Sequence, residues 1–390
     1  MESIRQLLAA LADDGSVFPD TVTVQGKVSV IRRLGKLTVV IVFDQTGSCQ
    51  VVFECIDTSK MRVGDFVSID CAVHQFKGKN ELAAISYKLS CAGTRGQSAR
   101  KDVEAKVSRL FVKSYALQAI NLFFSQKGFI PVVSPIIVGP WVEGKTNTFK
   151  VDYYGTDKYL TLNNMLYHQV MLISGYQRIY ELSTIFRQDP SSAKDRLSEF
   201  MSLDISASFV DSSQMMSLVE ECILYIVNHL QQYDVTLKGP VHFDRISYSQ
   251  LMRSSGVTSH SGAQIPSAAR QYLNDHYDSF VWLYGFPEDK RRFFVKSTDG
   301  KCLDYQLWYK GDHQLASGGE RETDIQRIEE KILNEGKRIE NYGEMLDYFR
   351  GPVPPMAEIG FGIDRFLLDI IPDSVITDFV AFARTKSTHF

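Results

Sequence analysis

Hydrophobic and polar positions alternate through much of residues 21–90, in TVTVQGKVSVIRRL, KLTVVIVFDQTGSCQVVFECI, FVSIDCAVHQF and LAAISYKLS. A period of two with frequent β-branched residues marks half-buried strands. DQTG, between two of these runs, supplies turn chemistry. Roughly five short strands in about 70 residues predict a small closed barrel such as an OB-fold. Ahead of it, MESIRQLLAALADDGS reads as an amphipathic helix with acids near its end and no secretory cleavage site. Residues 1–92 therefore form one expected unit, a helix and a barrel.

The pattern then changes. CAGTRGQSARKD has little apolar content, and residues 93–104 are assigned to a linker. VEAKVSRLFVKSYALQAINLFFSQKGF has helical periodicity and stops at Lys127-Gly128, where glycine suits a helix C-terminus. From there to residue 390 strand-like pieces (IPVVSPIIV, TFKVDYY, KYLTL, RIYELSTIF, FVWLYGF, RFFVKS) mix with helical ones (NMLYHQVMLISG, SQMMSLVEECILYIVNHLQQY, ETDIQRIEEKILNEGKRI). Their low βαβ regularity predicts an α+β domain over residues 105–390, an antiparallel sheet flanked by helices.

Composition narrows the class without naming a chemistry. Hydrophobic residues are 44% and charged residues 23% of the chain, an ordinary globular balance. The net charge of −3 carries no global basic field, so any RNA contact needs a local patch. No apolar run reaches the roughly 18–20 residues of a membrane span. The six cysteines are scattered without a CxxC pair, which argues against a zinc site or a disulfide framework and for a reducing, cytoplasmic compartment.

Four stretches carry candidate chemistry: GFIPVVSPIIV (128–138), FR with a polar loop and RLSEF (186–200), SGGERE (317–322), and EIGFGIDRFLL (358–368). In the last, Gly360 and Gly362 permit close backbone approach, and Arg365 opens an apolar helix where a guanidinium can grip a phosphate. Each alone is weak: a charged hairpin or a glycine pair before a helix is commonplace.

Their order resembles the three motifs of class II aminoacyl-tRNA synthetases, most closely the aspartyl/asparaginyl/lysyl subgroup, and the resemblance spans nearly the whole chain. GFIPVVSP is similar to motif 1, FRQDPSSAKDRLSEFMSLD to motif 2 and PPMAEIGFGIDRFLLDII to motif 3. The resemblance implies ATP-dependent activation of an Asp- or Asn-like amino acid, transfer to tRNA, Mg2+ as companion of ATP, and a homodimer with Pro135 at its interface. It implies that Arg187 binds the α-phosphate and the substrate carboxylate, and that Arg365 binds the γ-phosphate beside the adenine. Arg196 is a further phosphate contact, Asp189 faces the adenine amino group, and Phe200 packs or stacks there. Glu143 is placed at the substrate ammonium, Arg321 at the substrate side chain, Asp204 in the same network and His168 at a position usually held by a lysine. Arg32 and Gln50 match anticodon-contacting positions of the barrel.

The chain also departs from the family pattern. LNNM (162–165) stands where a QSPQ-like run is usual, removing two amides near the substrate. Gln314 and Gln306 fall at the two metal-binding carboxylate positions, so a protein-held Mg2+ should weaken, with Asp304, Asp312 or His313 as substitutes if the register shifts. Met356, Ala357 and Glu358 replace a His-Gly-Gly run, and Glu358 near phosphates is unfavourable unless it faces away. Val39 replaces a base-stacking Phe, and Phe43, by its position, is expected on a different face. These departures keep two alternatives open: transfer of the activated amino acid to a non-tRNA acceptor, and a non-catalytic ligand- or RNA-binding paralogue.

Overall fold

The computed structural model describes residues 3–12, 21–76, 79–91, 100–139, 148–188, 195–258, 265–288 and 293–386. Among the described residues no helix is long and apolar enough to cross a membrane. The chain divides into two compact units, Met1–Phe111 and Val112–Phe390.

In the first unit, strands β1 (Val22–Leu34), β2 (Leu37–Asp44), β3 (Gly47–Glu54), β4 (Phe66–Phe76) and β5 (Lys79–Cys91) close into a barrel in the order β1-β2-β3-β5-β4. The period of two does this work. Val40, Val42, Val51, Phe53 and Ile69 turn inward, and the helix Ile4–Ala12 adds Ile4 and Leu7 to their core. The alternate positions of β2, namely Val39, Ile41 and Phe43, share the outer face. Arg32 pairs with Val39 and Gln50 with Ile41, so both exposed polar residues stand on that same face. Phe43 thus lies on the face of Val39, not on a different one. Positions four apart keep the same parity, and no bulge interrupts the β2–β3 ladder from Leu37 to Asp44.

A helix begins at Arg100 and runs to Gln126, so residues 100–104, assigned above to a linker, are helical; residues 92–99 lie outside the described residues. The second unit is built on an eight-stranded sheet. Its strands are β6 (Ile130–Pro131), β10 (Arg178–Phe186), β11 (Glu199–Ser208), β12 (Phe243–Ser247), β13 (Phe280–Tyr284), β16 (Asp304–Tyr309), β17 (His313–Glu320) and β18 (Met356–Gly362). The order is β12-β13-β16-β17-β18-β11-β10-β6, antiparallel except for the edge pairs β12–β13 and β10–β6. Strands β7 (Ile137–Val138), β8 (Lys150–Tyr153) and β9 (Thr156–Leu160) form a small separate sheet, and β14 (Ser297–Thr298) and β15 (Lys301–Cys302) a hairpin.

Alternation splits the central strands into two faces. Leu203, Ile205 and Ala207 of β11 join Ala357, Ile359 and Phe361 of β18 on the face covered by the helix Ser212–Gln231 and by Val112–Phe124. The larger of these, Leu203, Ile205, Ile359 and Phe361, each contribute about 1.5–3 kcal/mol by leaving water. The covering helix starts at a reciprocal capping box, in which Asp211 and Gln214 satisfy each other's backbone amides. The opposite face carries the polar alternates. Register places Glu181, Asp204, Gly360 and Ser317 side by side across four strands, and Ile179, Ser206, Glu358 and Gly319 in the next row.

Candidate active site

A cavity of about 310 Å³ opens over these polar rows, within the size range of small-molecule sites. The structure brings Arg187, Arg196, Phe200, Asp204, Arg321 and Arg365 together around it, although they span three separate stretches of sequence. Arg187 directly follows β10, with its backbone amide donating to the Ser198 carbonyl at 2.8 Å, and its guanidinium lies 5.7 Å from the Phe200 ring centre. Arg365 enters from the helix Ile363–Ile370 and donates from Nη1 to the Gln314 carbonyl at 3.1 Å. Neighbouring Asp364 is buried, held at 2.6 Å by Lys113 and by the Met201 backbone amide at 2.9 Å. Three arginines thus face one side of the cavity, where their charges suit a polyphosphate.

At the other side stand Asp204 and Arg321. Asp204 is enclosed apart from its cavity face. It accepts from Ser202 Oγ at 2.7 Å and Ser183 Oγ at 2.8 Å. Burial pushes its carboxyl above the ordinary range, more than these hydrogen bonds and the nearby His168 lower it. Gly360 opposite leaves room: a Cβ there would sit 3.1 Å from Asp204 Oδ1 and 3.1 Å from the Met165 methyl. Arg321 Nε donates to Glu358 Oε2 at 2.5 Å, and its guanidinium lies 4.5 Å from the Phe294 ring centre.

Several expectations change. His168 does not line the cavity. It is fully buried, with Nδ1 3.0 Å from Ser206 Oγ and Nε2 2.9 Å from Glu181, so both ring nitrogens are already engaged behind the wall. Burial pushes Glu181 up, but the His168 and Ser134 hydrogen bonds outweigh it and hold this carboxyl below its usual range. Of LNNM, Leu162, Asn163 and Met165 line the cavity; Asn163 Oδ1 accepts from the Met165 amide at 3.0 Å, and Asn164 accepts from Thr161 Oγ1 at 2.8 Å. Glu358 is fully buried and does not line the cavity. Glu143 and Asp189 lie outside the described residues.

The donors for a divalent cation do not converge. Gln314 lines the cavity, but Gln306 does not: it is buried in β16 and accepts from Trp308 Nε1 at 2.9 Å. A bulge between Leu307 and Trp308 pairs Gln306 with Ser317. Asp304 accepts from the Phe286 amide, Asp312 from Asn274, and His313 bridges Asp369 at 2.7 Å and Asp195 at 3.4 Å. The Asp369 hydrogen bond lifts His313 above the ordinary imidazole range, against the effect of burial. No group of three His, Cys, Asp or Glu side chains could hold a metal ion among the described residues. Since hard cations select clustered carboxylate oxygens, these residues do not fit a protein-held Mg2+.

Phe294, Met165, Asp195 and Ser202 line the cavity without having been singled out for a role in the sequence. Only the alternation Ser202-Asp204-Ser206 signalled a polar strand face; nothing local marked Phe294.

The model of the family tRNA synthetases class II (D, K and N) matches residues 99–386. The chain is 26% identical over 401 residues to the aspartate–tRNA(Asp/Asn) ligase of Methanococcus aeolicus, with 91% of each chain covered. It is 27% identical over 296 residues to the enzyme of the same name from Methanothermobacter thermautotrophicus, covering 72% of this chain and 68% of that one. Its fold matches the asparaginyl-tRNA synthetase of Pyrococcus horikoshii complexed with asparaginyl-adenylate at a TM-score of 0.86 and 23% identity, over 100% and 99% of the two chains.

Proposed function

The chain belongs to the class II tRNA synthetases (D, K and N), and from that premise we propose that it activates an Asp/Asn-like amino acid with ATP and transfers it to tRNA. The observation that carries this reading is one cavity with three arginines, Arg187, Arg196 and Arg365, on one side and the Asp204–Arg321 end on the other. The first arrangement suits a triphosphate, the second a small zwitterion.

In this reading the amino-acid carboxylate oxygen attacks the α-phosphorus in line, and the bond to the bridging oxygen breaks to release pyrophosphate. Positioning and charge neutralisation supply most of the rate. Arg187 holds the α-phosphate and substrate carboxylate, Arg365 the γ-phosphate, and Arg196 a further phosphate oxygen. Phe200 packs against the adenine, whose amino group Asp189 reads. Glu143 meets the substrate ammonium, with Asp204 and Arg321 at the side-chain end. His168 acts as a positioning residue through Glu181 and Ser206. A hydroxyl at the tRNA end then attacks the acyl carbon and releases AMP. Mg2+ bound with ATP would neutralise phosphate charge, and no residue of this chain is assigned to hold it. Arg32 and Gln50 on the outer barrel face meet the anticodon, with Phe43 beside them as a stacking surface in place of Val39.

Amino-acid-dependent pyrophosphate exchange, followed by charging of total tRNA with the amino acid that supports it, tests the reading. Exchange with Asp or Asn and acid-precipitable aminoacyl-tRNA are expected; exchange without charging would move the acceptor away from tRNA. A homodimer is part of the same reading. Ile130, Ile136 and Ile137 are 40–47% exposed and Val133 is 95% exposed around Pro135, an apolar run that a second copy would cover. Light scattering should give twice the chain mass of 44.2 kDa, and a monomer would remove this interface.

A further inference from the structure

Glu358 is enclosed completely, and its carboxylate is bound on every side. Oε2 accepts from Arg321 Nε at 2.5 Å and from Gln169 Nε2 at 2.7 Å; Oε1 accepts from Ser206 Oγ at 2.8 Å. Arg321 is fixed as firmly, over Phe294 and with Nη2 2.8 Å from Met165 Sδ. The guanidinium that borders the cavity therefore has its charge balanced from behind by a carboxylate that the cavity does not touch. The next charge at this end is Asp204, whose Oδ1 converges with Met165 on the open space over Gly360.

We propose that Glu358 determines side-chain specificity: by cancelling the charge of Arg321, it makes the site accept a neutral, hydrogen-bonding side chain such as a carboxamide and reject a carboxylate of the same length. A carboxylate entering here faces Asp204 with no net cation to offset it, and like charges in a poorly solvated site repel strongly. A carboxamide meets both groups, accepting from the remaining guanidinium N–H and donating to Asp204. The inference rests on the reading that this cavity holds an amino acid.

The experiment compares the full-length chain with Glu358→Gln. The glutamine oxygen can still accept from Arg321 and Gln169, and its amide can donate to Ser206, so only the charge is removed. Pyrophosphate exchange with Asn and Asp is measured beside calorimetric binding of the asparaginyl and aspartyl sulfamoyl-adenosines. The natural chain should favour the Asn analogue on the order of 100-fold, the usual scale of such discrimination. In Glu358→Gln the preference should narrow about tenfold or more as Asp improves. A purely structural role would weaken both analogues alike and leave the ratio unmoved, which would overturn the proposal. Equal or tighter binding of the aspartyl analogue by the natural chain would also overturn it, whether or not the variant folds. Silent exchange with the expected binding ratio would instead sink the activation reading and leave this inference standing.

Discussion

Replacing Arg187 with alanine is expected to reduce ATP-dependent pyrophosphate exchange on the order of 10²–10³-fold or more, the scale seen when one preorganised group at a developing charge is removed. The guanidinium is exposed at the end of β10, beside Phe200, and its backbone amide bonds the Ser198 carbonyl, which alanine retains. Folding should therefore be nearly untouched, within about 0.5 kcal/mol. Activity and stability separate cleanly at this position. Lysine restores charge but not the planar fork, so Arg187→Lys should recover only part of the loss. Unchanged turnover in Arg187→Ala, measured on protein with the natural melting temperature, would remove the motif 2 assignment.

Gly318→Ala should act in the opposite way, through the fold. A Cβ at this position would stand 2.1 Å from the Glu358 carbonyl oxygen, 2.7 Å from the Tyr305 ring and 2.8 Å from Ile359 Cβ. The first atom is backbone of the adjacent strand β18 and cannot swing aside. Relief requires β17 and β18 to part between Ala316–Phe361 and Glu320–Ala357, which breaks the ladder under the cavity. Overpacking of this kind costs about 3 kcal/mol or more, a large part of a typical domain's stability. Urea unfolding should show a clear fall in midpoint, or the protein should fail to accumulate. Gly239, with nothing within 4 Å of its built Cβ, is the control: Gly239→Ala should leave the midpoint nearly unchanged. Equal stability of the two variants would refute the close-packing account of Gly318.

Much of this protein was legible in its sequence because the signals involved are local. A period of two in residues 21–90 and the helical spacing from Val103 to Gln126 arise from side-chain geometry within one element. The barrel and the two faces of β11 follow from them. The face of Phe43 was equally legible, since strand parity alone places it beside Val39. Resemblance at the motifs picked out Arg187, Arg196, Phe200, Asp204, Arg321 and Arg365, and the fold gathers all six at one cavity.

What the sequence alone could not decide was which of these side chains remain available. Glu358 reaches Arg321 across 37 positions and Gln169 across 189, and Lys113 reaches Asp364 across 251. His168 looked like a ligand residue until Glu181 and Ser206 were seen to take both its nitrogens. Nor could counting along the chain give the pairing of β16 with β17, whose register shifts at Leu307/Trp308. The chain by itself determined its elements, its family and which arginines to look for at the cavity, since these depend on near neighbours and on motif spacing. The tertiary structure alone decided that Arg321 reaches the cavity already paired with the buried Glu358, because burial and pairing are properties of strand register and packing between distant segments.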